Sequence, residues 1–253
     1  MSLHEAVVGF DSGAEAYERG RPEYPRDAIT FLTEQLQLAP GAVVLDIGAG
    51  TGKLSRLLLK SDARVVGLEP TDGMRRKFAQ VLPDTEIVGG VAESIPMRDG
   101  SLDAACAGQA FHWFANFRAL TEIHRALKPR GRFGIIWNVR ELTSDWMRDL
   151  WHIVEKHEGD VPRHRHGSWK PALEAFPRLQ KIAERSFSFS QTGDVEMLLD
   201  RIGSISFIAK LSDESRGKVF GEIRDLLKSH PETREHPQIE LRYRTDAYIY
   251  ERL

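Results

Sequence analysis

Short apolar runs alternate with amphipathic stretches through the first half of the chain. Ala42 to Ile47 is rich in β-branched residues and reads as a strand buried on both faces, as in a parallel sheet. Arg64 to Glu69, Thr85 to Gly90, Leu102 to Ala107 and Arg132 to Trp137 repeat that texture. Between them, Lys53 to Leu59, Asp72 to Val81 and Asn116 to Leu127 read as helices. Ala28 to Leu38 precedes the first strand and carries Ile29, Leu32 and Leu36 on one helix face, with a stop at Ala39-Pro40-Gly41. Lys128-Pro129-Arg130-Gly131 reads as a turn. Strands alternating with helices at this spacing predict βαβ units and a doubly wound parallel sheet.

Beyond Asn138 the texture changes. Glu141 to His157 reads as a helix, Glu158 to Pro171 as a polar loop, and Asp194 to Gly203 and Ser212 to His230 as helices. Lys181 to Ser190 and Ile239 to Tyr250 alternate apolar and polar residues and predict an antiparallel edge of the same sheet. Phe10 to Pro25 is polar and reads as an irregular arm. The expectation is an α/β, Rossmann-like, seven-stranded, mostly parallel sheet in a single domain. Residues 1–27 form an arm, 28–140 a core, 141–230 an inserted helical cap that lines the substrate, and 231–253 the final strand.

Composition narrows the function classes. The 253 residues carry a formal net charge of −2, so no bulk charge calls for nucleic acid or an anionic membrane surface. No apolar run approaches the roughly 18–20 residues of a membrane span. The single cysteine, Cys106, excludes an internal disulfide, and the first residues lack a secretory pattern, so a cytoplasmic protein is expected. His157, His164 and His166 with Asp160 match no zinc spacing, and no metal is expected.

The candidate chemistry sits where the first strand ends. Asp46-Ile47-Gly48-Ala49-Gly50-Thr51-Gly52 allows a tight turn and close approach of a ligand to the main chain. In an open α/β sheet this is the crevice at the carboxyl ends of the strands. The dinucleotide pattern G-x-G-x-x-G fails because Lys53 holds the sixth place, which argues against a nicotinamide-dependent oxidoreductase. The phosphate loop G-x-x-x-x-G-K-[ST] fails at Ile47 and Leu54. Glu69, at the end of the second strand, offers a carboxylate that can accept from both hydroxyls of a ribose.

Several ordered segments carry a family resemblance. Val44 to Gly52 resembles motif I of class I methyltransferases, and Val66-Gly67-Leu68-Glu69-Pro70 with Met74 resembles motif II. Gly90 to Pro96 resembles the segment bordering the adenine. Ser101-Leu102-Asp103 and Gln109 to Phe114 resemble the fourth strand and its mouth, and Leu127 to Phe133 the turn into the fifth. Tyr17 to Pro25, with His112-Trp113-Phe114, is similar to the methyltransferase type 11 group that includes trans-aconitate methyltransferase-like proteins.

The resemblance implies S-adenosylmethionine as cofactor and a small-molecule acceptor, with a carboxylate among the options. It implies that Gly48, Ala49 and Gly50 pass beside the methionine portion, which Gln109 also faces, and that Glu69 holds the ribose. Pro70 and Met74 would contact the adenosine, and Ala92 and Glu93 the adenine edge. His112 would be the base if the acceptor is a hydroxyl or an amine. Tyr17, Arg21, Trp113 and Arg140 would meet the substrate. A non-catalytic cofactor-binding scaffold and a macromolecular acceptor are the remaining alternatives.

Overall fold

The computed structural model describes residues 14–159, 167–236 and 238–253. Its sheet has seven strands: β1 (Val43–Ile47), β2 (Arg64–Glu69), β3 (Glu86–Gly89), β4 (Leu102–Gly108), β5 (Leu127–Arg140), β6 (Leu179–Gly193) and β7 (Ile239–Arg252). They run in the order β3-β2-β1-β4-β5-β7-β6. The pairs β3·β2, β2·β1, β1·β4 and β4·β5 are parallel, and β5-β7-β6 is the antiparallel edge. Strand order reverses at β1, so the crevice expected of an open sheet opens over its carboxyl end.

The described residues fall into two compact units. Residues 23–139, 167–187 and 245–253 form one, and 14–22, 140–159, 188–236 and 238–244 the other. In the first unit the period-two alternation of the strands sorts side chains onto two faces. Leu45, Ile47, Ala105, Ala107, Phe133, Ile135 and Trp137 pack on one face against Ala119, Leu120, Ile123 and Ala126 of helix α5 (Phe117–Ala126). Val44, Ala104, Cys106 and Ile136 pack on the other, against Ala28, Ile29 and Leu32 of α2 (Arg26–Gln35) and Leu57 and Leu58 of α3 (Ser55–Leu58). Helix α4 (Asp72–Val81) follows β2, and the short α7 (Lys170–Glu174) adds Leu173 to the first face.

The second unit holds α1 (Ala14–Gly20), α6 (Asp145–Glu155), α8 (Val195–Gly203), α9 (Ser206–Ala209) and α10 (Asp213–Ser229). Asp194 and Ser212 cap α8 and α10, accepting from Met197 N and Ser215 N.

Three expectations need correction. The arm is not irregular throughout: Ala14–Gly20 is helical, and its part from 10 to 13 lies outside the described residues. Seven residues are too few to hold a helix alone. Here Arg19 forks onto Asp200 at 2.7 and 3.0 Å, and Gly20 packs so closely that a Cβ would lie 2.3 Å from Arg201 N. The turn at Lys128 to Gly131 lies inside β5, where Arg130 takes φ +62 and the register shifts between Leu102↔Leu127 and Ala104↔Arg132. Finally, the helix after the glycine turn spans Ser55–Leu58 and continues as a 3₁₀ turn, Leu59–Ser61. Elsewhere boundaries move by a few residues, and two short helices, Lys170–Glu174 and Ser206–Ala209, stand where the pattern predicts none.

Candidate functional site

The glycine turn is held from three sides. Gly48 N and Ala49 N both donate to Leu68 O, at 2.8 and 3.2 Å, tying the turn to β2. Gly50 N donates to Glu69 Oε2 at 3.0 Å. Ser55 Oγ, just past the turn, donates to Asp46 Oδ2 at 2.7 Å. Gly48, Gly50 and Gly52 take φ of +71, +57 and +91, a region in which a side chain is strained. A Cβ on Gly50 would point into open space, so the main chain there can be approached closely.

Glu69 is 6% exposed. Its Oε1 accepts from Thr71 N at 3.0 Å and Thr71 Oγ1 at 2.8 Å, and its Oε2 from Gly50 N. A carboxylate offers about four acceptor positions, so one remains, on Oε2. Burial raises its proton affinity above the ordinary carboxylate value, and the bonds from Thr71 and Gly50 oppose that rise. Asp46 is also buried, and loss of hydration pushes its carboxyl up to about 6 against the bond from Ser55. Burial, with Asp46 nearby, holds the Cys106 thiol protonated well above its usual range.

The other expected cofactor residues have their own local partners. Met74 and Ala92 are buried, and the Pro70 carbonyl accepts from Arg75 Nη1 at 2.8 Å. Glu93 Oε1 accepts from Asn116 Nδ2 at 2.8 Å, and the same Asn116 caps α5 by accepting from Ala119 N. Glu93 also borders a shallow cleft of about 460 Å³ with Ser94, Phe117 and Arg118. Gln109 follows β4 in the left-handed region, φ +59, with its N–H on Ile136 O and its Nε2 on Asn138 O. For a residue with a Cβ this conformation costs on the order of 1–2 kcal/mol, and such strain collects at functional sites.

His112 lies in a 3₁₀ turn, Phe111–Trp113, its ring 5.0 Å from that of Trp113. Its Nδ1 accepts from Trp137 Nε1 at 3.3 Å. Indole N–H can only donate, so the neutral imidazole carries its proton on Nε2. Trp137 is fully buried, its ring centre 4.7 Å from that of Trp169 with the planes tilted by 37°.

Tyr17, Arg21 and Arg140 belong to the other unit. There Arg21 donates from Nε and Nη2 to Ser204 Oγ and O, with its guanidinium 5.1 Å from the Tyr17 ring. Arg140 pairs with Glu155 at 2.6 Å and lies 3.6 Å over the Trp151 ring. Sequence reasoning missed Thr71, Ser55 and Trp137, which position Glu69, Asp46 and His112. Only Thr71 left a signal, as a hydroxyl two residues past the acid.

Of the residues weighed as a metal cluster, Asp160, His164 and His166 lie outside the described residues. Among the described residues no group of three His, Cys, Asp or Glu is placed to hold a metal ion, and no helix is long and apolar enough to cross a membrane.

A methyltransferase-domain family model matches residues 45–135, the stretch from β1 into β5. The chain is 35% identical over 250 residues to a methyltransferase-like protein of Schizosaccharomyces pombe, covering 96% of this chain and 95% of that one. It is 35% identical over 230 residues to a methyltransferase of Mycobacterium tuberculosis, covering 91% and 90%. A solved structure from Anaeromyxobacter dehalogenans, described as a candidate type II methyltransferase, superposes with a TM-score of 0.66 at 22% identity. It covers 91% of this chain and 97% of that one, a likeness of fold.

Proposed function

The chain belongs to the methyltransferase family, and from that premise we propose that it transfers the methyl group of S-adenosylmethionine to the carboxylate of a small molecule. The glycine turn carries the reading: its main chain is pinned to Leu68 and Glu69 yet open over Gly50. Gly48, Ala49 and Gly50 would run beside the methionine portion, with Gln109 facing it. Glu69 would take a ribose hydroxyl on the acceptor position left on Oε2. Pro70 and Met74 would border the adenosine, and Ala92 and Glu93 the adenine.

The cofactor supplies a methyl group already activated on a sulfonium. The protein's part is to hold the accepting atom in line at near-attack distance, roughly 3–3.5 Å, and to keep water out. The surroundings of His112 support one acceptor chemistry over the other. As a base it would take a proton at Nε2, where it already carries one because Trp137 occupies Nδ1. In that tautomer it donates a hydrogen bond instead, which suits an oxygen that needs no deprotonation. A carboxylate is such an acceptor. Among the residues expected to meet the acceptor, Trp113 stands beside His112. Tyr17, Arg21 and Arg140 would meet an acid only after exchanging the partners they now hold.

The test is incubation with methyl-labelled S-adenosylmethionine and fractionated metabolite extract. The expected result is label in a small-molecule fraction, released by mild base as a methyl ester would be. Base-stable label would overturn the carboxylate assignment. No transfer to any small molecule would overturn the proposed activity.

A further inference from the structure

A buried guanidinium without a counter-ion lies in the unit that contains α6 and α8. Arg201, on α8, is 5% exposed. Its Nε donates to Tyr243 Oη at 3.1 Å, while its Nη1 is buried with no hydrogen-bond partner. Among the described residues no carboxylate oxygen lies within 4.0 Å of this guanidinium. Its central carbon is 5.9 Å from the ring centre of Trp151, over which Arg140 also lies, at 3.6 Å. Trp151 Nε1 is itself buried and without a hydrogen-bond partner. Tyr243 accepts from Arg201, which leaves its own proton to donate, and its ring is stacked on Phe189 at 5.2 Å.

The balance of charge and of donors points one way. Two arginines share one indole, and Glu155 pairs with Arg140. Buried charges are ordinarily paired and buried N–H groups ordinarily bonded, because leaving water uncompensated is costly. Arg201 Nη1 and Trp151 Nε1, joined through the guanidinium–indole contact, are both donors, and the Tyr243 hydroxyl is a third. A neutral ligand would satisfy donors but leave the charge unanswered. A planar oxyanion with several acceptor positions satisfies both, and the guanidinium fork matches a carboxylate.

We propose that this unit binds a small organic acid, its carboxylate held by Arg201 Nη1 and Trp151 Nε1 with the Tyr243 hydroxyl as a third donor. The inference stands on this unit alone and does not depend on methyl transfer. The test is calorimetric titration of the full chain with succinate and, separately, with inorganic phosphate, at constant ionic strength. Saturable succinate binding is expected, weakened at least about tenfold by Arg201→Gln and more modestly by Trp151→Phe. If Arg201→Gln fails to fold by far-ultraviolet circular dichroism, Arg201→Lys replaces it, keeping the charge without the fork; the same tenfold weakening is expected. Binding of phosphate but not succinate, binding of neither, or unchanged succinate affinity in the folded variant each overturns the proposal.

Discussion

Ser55 and Asp46 clamp the glycine turn across its base: the first residue of α3 donates at 2.7 Å to an acid in the middle of β1's buried run. The bond fixes where the helix starts relative to the strand, and thereby the path of the glycines between them. It also buries a titratable group, which gives the fold a pH dependence.

The Asp46 carboxyl titrates at about 6 in the fold and 3.8 in the reference state. A raised carboxyl favours its neutral form in the fold, so this contribution to stability is full below about 3.8 and lost as pH rises through about 6. The difference is worth about 3 kcal/mol at most. Asp46→Asn cannot ionise. Urea unfolding from pH 4 to 7 is therefore expected to show the wild type losing stability relative to the variant by up to that amount. Parallel curves would remove Asp46 as the source.

Gly50 and Gly52 separate a binding role from a folding one. A Cβ on Gly52 would meet Leu82 Cδ1 at 2.8 Å and Phe78 at 3.0 Å, at φ +91. Gly52→Ala is expected to cost about 1–3 kcal/mol in chemical denaturation. At Gly50 the same substitution meets nothing within 4 Å. Gly50→Ala should lose about 1–2 kcal/mol of stability through φ alone, yet weaken S-adenosylhomocysteine binding at least about tenfold. Equal affinity in Gly50→Ala would mean that no ligand lies over the turn.

Trp137 sets the tautomer of His112. Nitrogen-15 spectra of the imidazole at neutral pH should show the Nε2–H form. Trp137→Phe removes the donor and should admit the Nδ1–H form, with a changed pH profile of turnover. A wild-type spectrum dominated by Nδ1–H would return His112 to the role of base.

The sequence made the parallel half of the sheet and its turn legible because both are local. A buried strand needs an apolar run such as Arg64 to Glu69, and a left-handed turn needs its glycines. What it hid depends on distant partners. Ala14–Gly20 becomes a helix through Asp200 and Arg201, some 180 positions away in the chain. His112 owes its tautomer to Trp137, which as sequence is one more apolar residue in a strand. Arg201 sits in a segment that reads simply as a helix, and only its burial distinguishes it. Arg21 is named through the resemblance and Arg140 from its place just past the fifth strand, and nothing local to either residue announces its partner, Ser204 or Glu155.

The central claim is that a glycine turn backed by Glu69 holds an adenosyl ligand, and calorimetry of S-adenosylhomocysteine binding tests it most directly. The wild type should bind one equivalent. Glu69→Ala removes a ribose acceptor and the bonds that hold Gly50 and Thr71, and should weaken binding by about 1.5–3 kcal/mol, roughly ten- to a hundred-fold. A wild type that takes up no ligand, or a Glu69→Ala variant that binds as tightly as the wild type, would contradict it.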